Sequence, residues 1–147
     1  MAIEDTITTL IASARQTADG YTRAAERLID QPELAHFFDE QADYHNQAAD
    51  TLERKLIEAG KRPKADILMV PEAQGWTMPA ANDTNPKSII EACHEGEERT
   101  AKTFAEALKE LPEEWHWRIR EYADNMRSAI AKLHAWLQNK EIGPEFG

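Results

Sequence analysis

The sequence predicts an all-α protein folded as one four-helix bundle, and three observations carry that prediction. Apolar residues recur at three- and four-residue steps in four segments, strand-like alternation is absent, and the breaks between segments fall at proline and glycine. A chain of 147 residues is long enough to bury a single core, so residues 1–147 are taken as one domain.

The first segment, from about Glu4 to Ile29, aligns Ile7, Leu10, Ile11, Ala14, Ala18, Tyr21, Ala25 and Leu28. Asp30-Gln31-Pro32 ends it, because proline opens a helix readily and breaks one from within. The second, about Pro32 to Ala59, aligns Leu34, Phe38, Gln41, His45, Ala48, Leu52 and Leu56, and Gly60 is placed as a C-cap glycine. The third follows Asn85-Pro86 or Ser88 and runs to Leu111, aligning Ile90, Cys93, Glu97, Thr100, Phe104, Ala107 and Leu108. The fourth, about Glu113 to Asn139, aligns Ile119, Tyr122, Met126, Ala129, Ile130, Leu133 and Leu137. Residues 140–147, ending in GPEFG, read as a short tail.

Between the second and third segments lie residues 61 to 86, with Pro63, Pro71, Pro79 and Pro86. A loop of this length is uncommon in a compact domain unless it carries the chain along the whole bundle. That makes it the crossover of an up-down-down-up, ferritin-like topology. Ile67, Leu68, Met69, Val70 and Trp76 are its apolar anchors. The quartet Glu40-Gln41-Ala42-Asp43 recurs as Glu121-Tyr122-Ala123-Asp124, which suggests a duplicated hairpin.

The formal charge of −10 argues against nucleic acid and against an anionic membrane surface, both of which need clustered basic residues. One cysteine, Cys93, allows no internal disulfide, and Glu4 and Asp5 stand where a signal peptide is basic, so the expected location is cytoplasmic. No phosphate loop, nucleophile elbow or paired-cysteine motif occurs, so no catalytic residue is assigned.

Ferritin-like di-metal centres take about six protein ligands, an inward Glu from each of two helices and Glu-x-x-His from each of the others. Glu40, Asp43, Glu121, Asp124, Asp19 and Glu26 all project away from their stripes, as a solvated charged face requires. Glu91 and His94 sit at the flank of the third stripe, where His94 with Glu91 or Glu98 is at most a surface zinc site. Only His45 and Glu97 lie on stripes, with Gln41 one turn before His45. Counting from the turns, they share a central layer with Ala18 and Met126. A buried structural pair is the first expectation there. The alternative is metal, iron or manganese, held by His45, Glu97 and Gln41. Cys93 reads as a small core residue. Trp76, Trp115 and Trp117 are interface candidates, and Trp136 joins the latter two at the core edge of the fourth helix.

The stretch Ile89-Ile90-Glu91-Ala92-Cys93-His94-Glu95-Gly96-Glu97 resembles a bacterial ferritin-like four-helix-bundle family, domain of unknown function 2383, through its Cys-x-x-Gly-Glu element. Ala18-Asp19-Gly20-Tyr21, Ala24-Ala25-Glu26 and Gly75-Trp76 fit the same family, over about residues 5 to 138. The resemblance implies a ferritin-like bundle with a link to stress or storage states. It also marks Ala18 as standing where the family pattern has an acid. The preferred function is thus a non-catalytic, homo-oligomeric bundle. The alternatives are a metal-binding oxidase or iron-handling protein, and a module docking another protein through the crossover and the tryptophan-rich helix.

Overall fold

The computed structural model describes residues 2–68, 76 and 78–139. Helix α1 spans Ile3–Arg27, α2 Pro32–Glu58, α3 Ala65–Leu68, α4 Pro86–Ala107 and α5 His116–Gln138, with a 3-10 turn at Glu113–Trp115 before α5. No strand occurs among the described residues. Met69, Val70, Gly75 and the GPEFG tail lie outside the described residues.

The ends follow local chemistry. Pro32 takes the first position of α2, where its missing N–H costs nothing. Gly60 ends α2 with φ +81°, its N–H donating to Ile57 O at 2.9 Å and that of Lys61 to Leu56 O at 3.1 Å, which satisfies two terminal carbonyls. Asn85 caps α4 by accepting from Lys87 N at 3.0 Å. Two boundaries differ from expectation. Helix α4 stops at Ala107 rather than Leu111, and the fourth helix opens in a 3-10 turn rather than as α-helix at Glu113. Pro112 excludes Leu111 from helical geometry, so the chain tightens early, with Lys109 N donating to Glu106 O and Glu110 N to Ala107 O. Leu111 and Trp115 are thereby turned into the core.

Long-range contacts fix the directions. Along α1, Thr6 meets Glu110, in the turn just after α4, and Thr17 and Tyr21 meet Thr100 and Glu97 of α4, so these helices are antiparallel. Arg15 reaches Glu53 while Tyr21 meets Phe37, so α2 also runs against α1. Phe104 faces Tyr122, and His94 faces His134, which sets α5 against α4. The order is up-down-down-up, as predicted. The crossover climbs α1 from end to end: Lys61 pairs with Glu4, Lys64 N donates to Thr8 Oγ1 at 3.0 Å, and Arg27 Nη1 donates to Pro79 O at 2.6 Å and Ala80 O at 2.9 Å. The one-turn α3 in it was too short to leave a periodic signal.

Two apolar clusters fill the bundle. One gathers Ile7, Leu10, Leu52, Leu56, Phe104, Ile119 and Met126; the other gathers Ala18, Tyr21, Phe38, Ile89, Cys93, Ala129 and Leu133. Each fully buried Leu, Ile or Phe contributes about 1.5–3 kcal/mol. His45 and Glu97 belong to neither cluster. They lie between them, meeting Tyr21 of one cluster and Tyr44, which packs on the other; Ala18 and Met126 are buried in one cluster each. Among the described residues no helix is long and apolar enough to cross a membrane.

Candidate functional site

The layer is built from three helices. On α4, Cys93, Glu97, Thr100 and Phe104 share the inward stripe; α2 brings His45, and α1 brings Thr17 and Tyr21. His45 and Glu97 are both 0% exposed. The Tyr21 hydroxyl donates to Glu97 Oε1 at 2.8 Å, and His45 Nε2 lies 3.1 Å from the same oxygen. With Nε2 protonated, two donors converge on one carboxylate oxygen. The Tyr21 and His45 rings stack, with centroids 5.9 Å apart and planes 16° from parallel. One turn along α4, Thr100 Oγ1 meets Thr17 Oγ1 at 2.6 Å.

Three further polar atoms of this region are buried without a hydrogen-bond partner among the described residues: Glu97 Oε2, His45 Nδ1 and Gln41 Oε1. Gln41 is half-buried one turn before His45 on α2, and among the described residues no hydrogen bond joins its Oε1 to either member of the pair. Burial and then the Glu97 charge push the Tyr21 hydroxyl well above the ordinary tyrosine range, and the same two causes push the Cys93 thiol up. Tyr44, beside Tyr122, is raised to about 12, chiefly by burial.

These shifts give a prediction. The folded chain keeps protons on Cys93, Tyr21 and Tyr44 that the unfolded chain releases from about pH 9.0 for the thiol and 10.0 for the phenols. Their contribution to stability is complete below those values and is lost as pH rises above them, with a slope of up to about 1.4 kcal/mol per pH unit per group. The urea midpoint is expected to hold up to about pH 9 and to fall increasingly steeply above about pH 10, as the thiol and then the phenols ionise in the unfolded chain. Cys93→Ala should delay the onset of the fall. The native thiol should also resist a disulfide reagent until denaturant is added.

A di-metal centre does not fit this donor set. Among the described residues, no group of three or more His, Cys, Asp and Glu side chains is placed to hold a metal ion. The level offers one carboxylate and one imidazole, and Tyr21 occupies the carboxylate oxygen from the α1 side. The six acids read as a solvated face, Asp19, Glu26, Glu40, Asp43, Glu121 and Asp124, are all exposed. His94 pairs with Glu98 at 3.1 Å, and Glu91 is exposed beside it.

The tryptophans are placed differently from the interface expectation. Trp115 is 4% exposed, inside the cluster of Ile7, Leu56 and Phe104 and beneath Lys55, and Trp76 is 7% exposed. Their surface is used within the chain. Trp117, at 57% exposure, presents its ring to solvent under Arg118 at 4.5 Å, and Trp136 is half-buried. Trp136 packs on Phe37 with centroids 5.0 Å apart.

Trp76 lies in a notch formed by Gly20 of α1 and Gly96 of α4. A Cβ added to Gly20 would fall on indole atoms Cγ, Cδ2 and Cε3, and one added to Gly96 on Cδ2, Cε2 and Nε1. Tyr21 stands against the same indole, with centroids 4.7 Å apart. The notch and the role of Tyr21 were not read from periodicity. Glycine inside a helix costs about 1 kcal/mol against alanine, so Gly20 and Gly96 were themselves the signal of a close approach.

Three comparisons with known proteins bear on this geometry. A family model described as a domain of unknown function, DUF2383, matches residues 2–110, which takes in α1, α2, the crossover and α4. The crystal structure of an uncharacterized conserved protein from Magnetospirillum magnetotacticum MS-1 is similar, with TM-score 0.73 and 18% identity, over 94% of this chain and 95% of that one. At this identity the likeness is one of fold. No curated protein matches the chain.

Proposed function

The chain belongs to the DUF2383 family, and on that premise we propose that it is a non-catalytic bundle protein of ferritin-like topology whose central level holds a structural polar contact. The convergence of Tyr21 and His45 on Glu97 Oε1 supports this reading most directly. A buried carboxylate is tolerated when donors compensate it, and here two aromatic residues that pack on each other supply them. Such a contact fixes the relative height of α1, α2 and α4. It leaves one carboxylate oxygen where a di-metal site wants several.

The second reading is a metal-binding protein that handles iron or manganese. Glu97 Oε2 and His45 Nδ1, buried without a hydrogen-bond partner among the described residues, are the observations on its side. Elemental analysis of gently purified protein, before and after ferrous loading, separates the two. The structural reading expects substoichiometric metal in wild type and in Glu97→Ala alike. Near-stoichiometric metal that disappears in Glu97→Ala would overturn it. Self-association belongs to the same proposal, with the exposed Trp117 in its support, and sedimentation velocity at rising concentration tests it.

A further inference from the structure

Trp76 is held in a way that resembles a bound ligand more than a core side chain. The floor of its notch is helix backbone at Gly20 and Gly96, and Tyr21 forms a wall. The indole is almost wholly buried, yet its Nε1 has no hydrogen-bond partner among the described residues. The notch therefore holds the ring by shape and dispersion, which is how apolar protein cavities take small aromatic molecules. The crossover has separate fastenings on either side, from Lys64 N to Thr8 and from Arg27 to Pro79 and Ala80. Neither tie involves the ring, so Trp76→Ala is expected to keep the crossover on α1.

We propose that the Gly20–Gly96 notch is a binding site for one planar bicyclic aromatic group, and that Trp76 fills it in cis. The crossover is then latched to α1 and α4 by a displaceable contact. In the wild-type chain the tethered ring meets the notch at an effective concentration that a dilute free ligand does not match, so the site is silent. This inference is separate from the reading of the central level, since Tyr21 enters it through the packing of its ring on the indole and not through its hydroxyl, and no metal is used.

The test uses Trp76→Ala and indole. Saturating indole should raise the melting temperature of Trp76→Ala by several degrees, through one site per chain, and leave wild type unchanged. Benzofuran has the same shape without the N–H, and it should bind Trp76→Ala at least as tightly. Adding Gly96→Ala to Trp76→Ala should abolish the effect, because the new methyl occupies the ring's place. No shift with indole, an equal shift in wild type, or binding that survives Gly96→Ala would each overturn the proposal. Should Trp76→Ala fail to fold, single Gly96→Ala in the full chain serves instead. Expulsion of Trp76 should shift tryptophan emission to the red and increase quenching by acrylamide, and unchanged emission and quenching would overturn the proposal.

Discussion

Replacing Glu97 by alanine is expected to be among the most damaging single changes in this chain, at about 3–5 kcal/mol. The substitution leaves the Tyr21 hydroxyl and His45 Nε2 buried without their shared acceptor, and each such orphan costs about 1–3 kcal/mol. It also opens a void in a fully buried layer. Glu97→Gln keeps the volume and one carbonyl oxygen for both donors, so its cost should be clearly smaller. Tyr21→Phe removes one donor and leaves the acceptor served by His45, at about 1.5–3 kcal/mol if the acceptor is charged. Urea denaturation of the three variants should rank Ala first. If Glu97→Ala costs no more than Tyr21→Phe, the carboxylate is not the hub of the layer. A double-mutant cycle between Tyr21→Phe and Glu97→Ala, which each remove the shared hydrogen bond, should give a coupling of about 0.5–3 kcal/mol.

Much of this layer was legible before any coordinates, and the reason is geometric. Helical stepping places residue types on faces, and the distance from each turn places them at heights, so His45 and Glu97 could be matched across two helices. The same reasoning put Ala18 and Met126 at their level; both are buried, Ala18 in the cluster of Tyr21 and Met126 in that of Phe104. Tyr21 escaped because a long aromatic side chain carries its hydroxyl about one turn away from its own Cα. Assigned by backbone height alone, it belongs with Phe38; by its hydroxyl, it belongs with Glu97. The fold class was legible for a different reason: a crossover rich in proline has to run the length of a bundle, and this one is tied to α1 near both ends. The inward course of the crossover was not legible, because periodicity says nothing of a non-helical segment. An indole expected at an interface therefore proved to be packed against two helix backbones.

The packing of that indole predicts a change of sign. In an exposed helix interior, alanine is better than glycine by about 1 kcal/mol. At Gly96 and at Gly20 the added methyl would fall on the Trp76 ring, and overpacking a tight site costs about 1–3 kcal/mol or more. The steric term exceeds the propensity term, so Gly96→Ala and Gly20→Ala should each destabilise the wild-type chain. Trp76→Ala should itself cost about 3–5 kcal/mol, as loss of a buried tryptophan does. Once the ring is gone, the steric term vanishes and the propensity term remains. Gly96→Ala made in the Trp76→Ala background should then stabilise, by up to about 1 kcal/mol. Chemical denaturation of the two single variants and the double variant closes the cycle. If Gly96→Ala stabilises the wild-type chain, the indole is not in the notch. If it destabilises both backgrounds equally, the glycine serves some contact other than Trp76. Only a reversal of sign matches a helix glycine retained to seat one aromatic ring, because propensity alone, or a general intolerance of bulk at Gly96, would act the same way with and without Trp76.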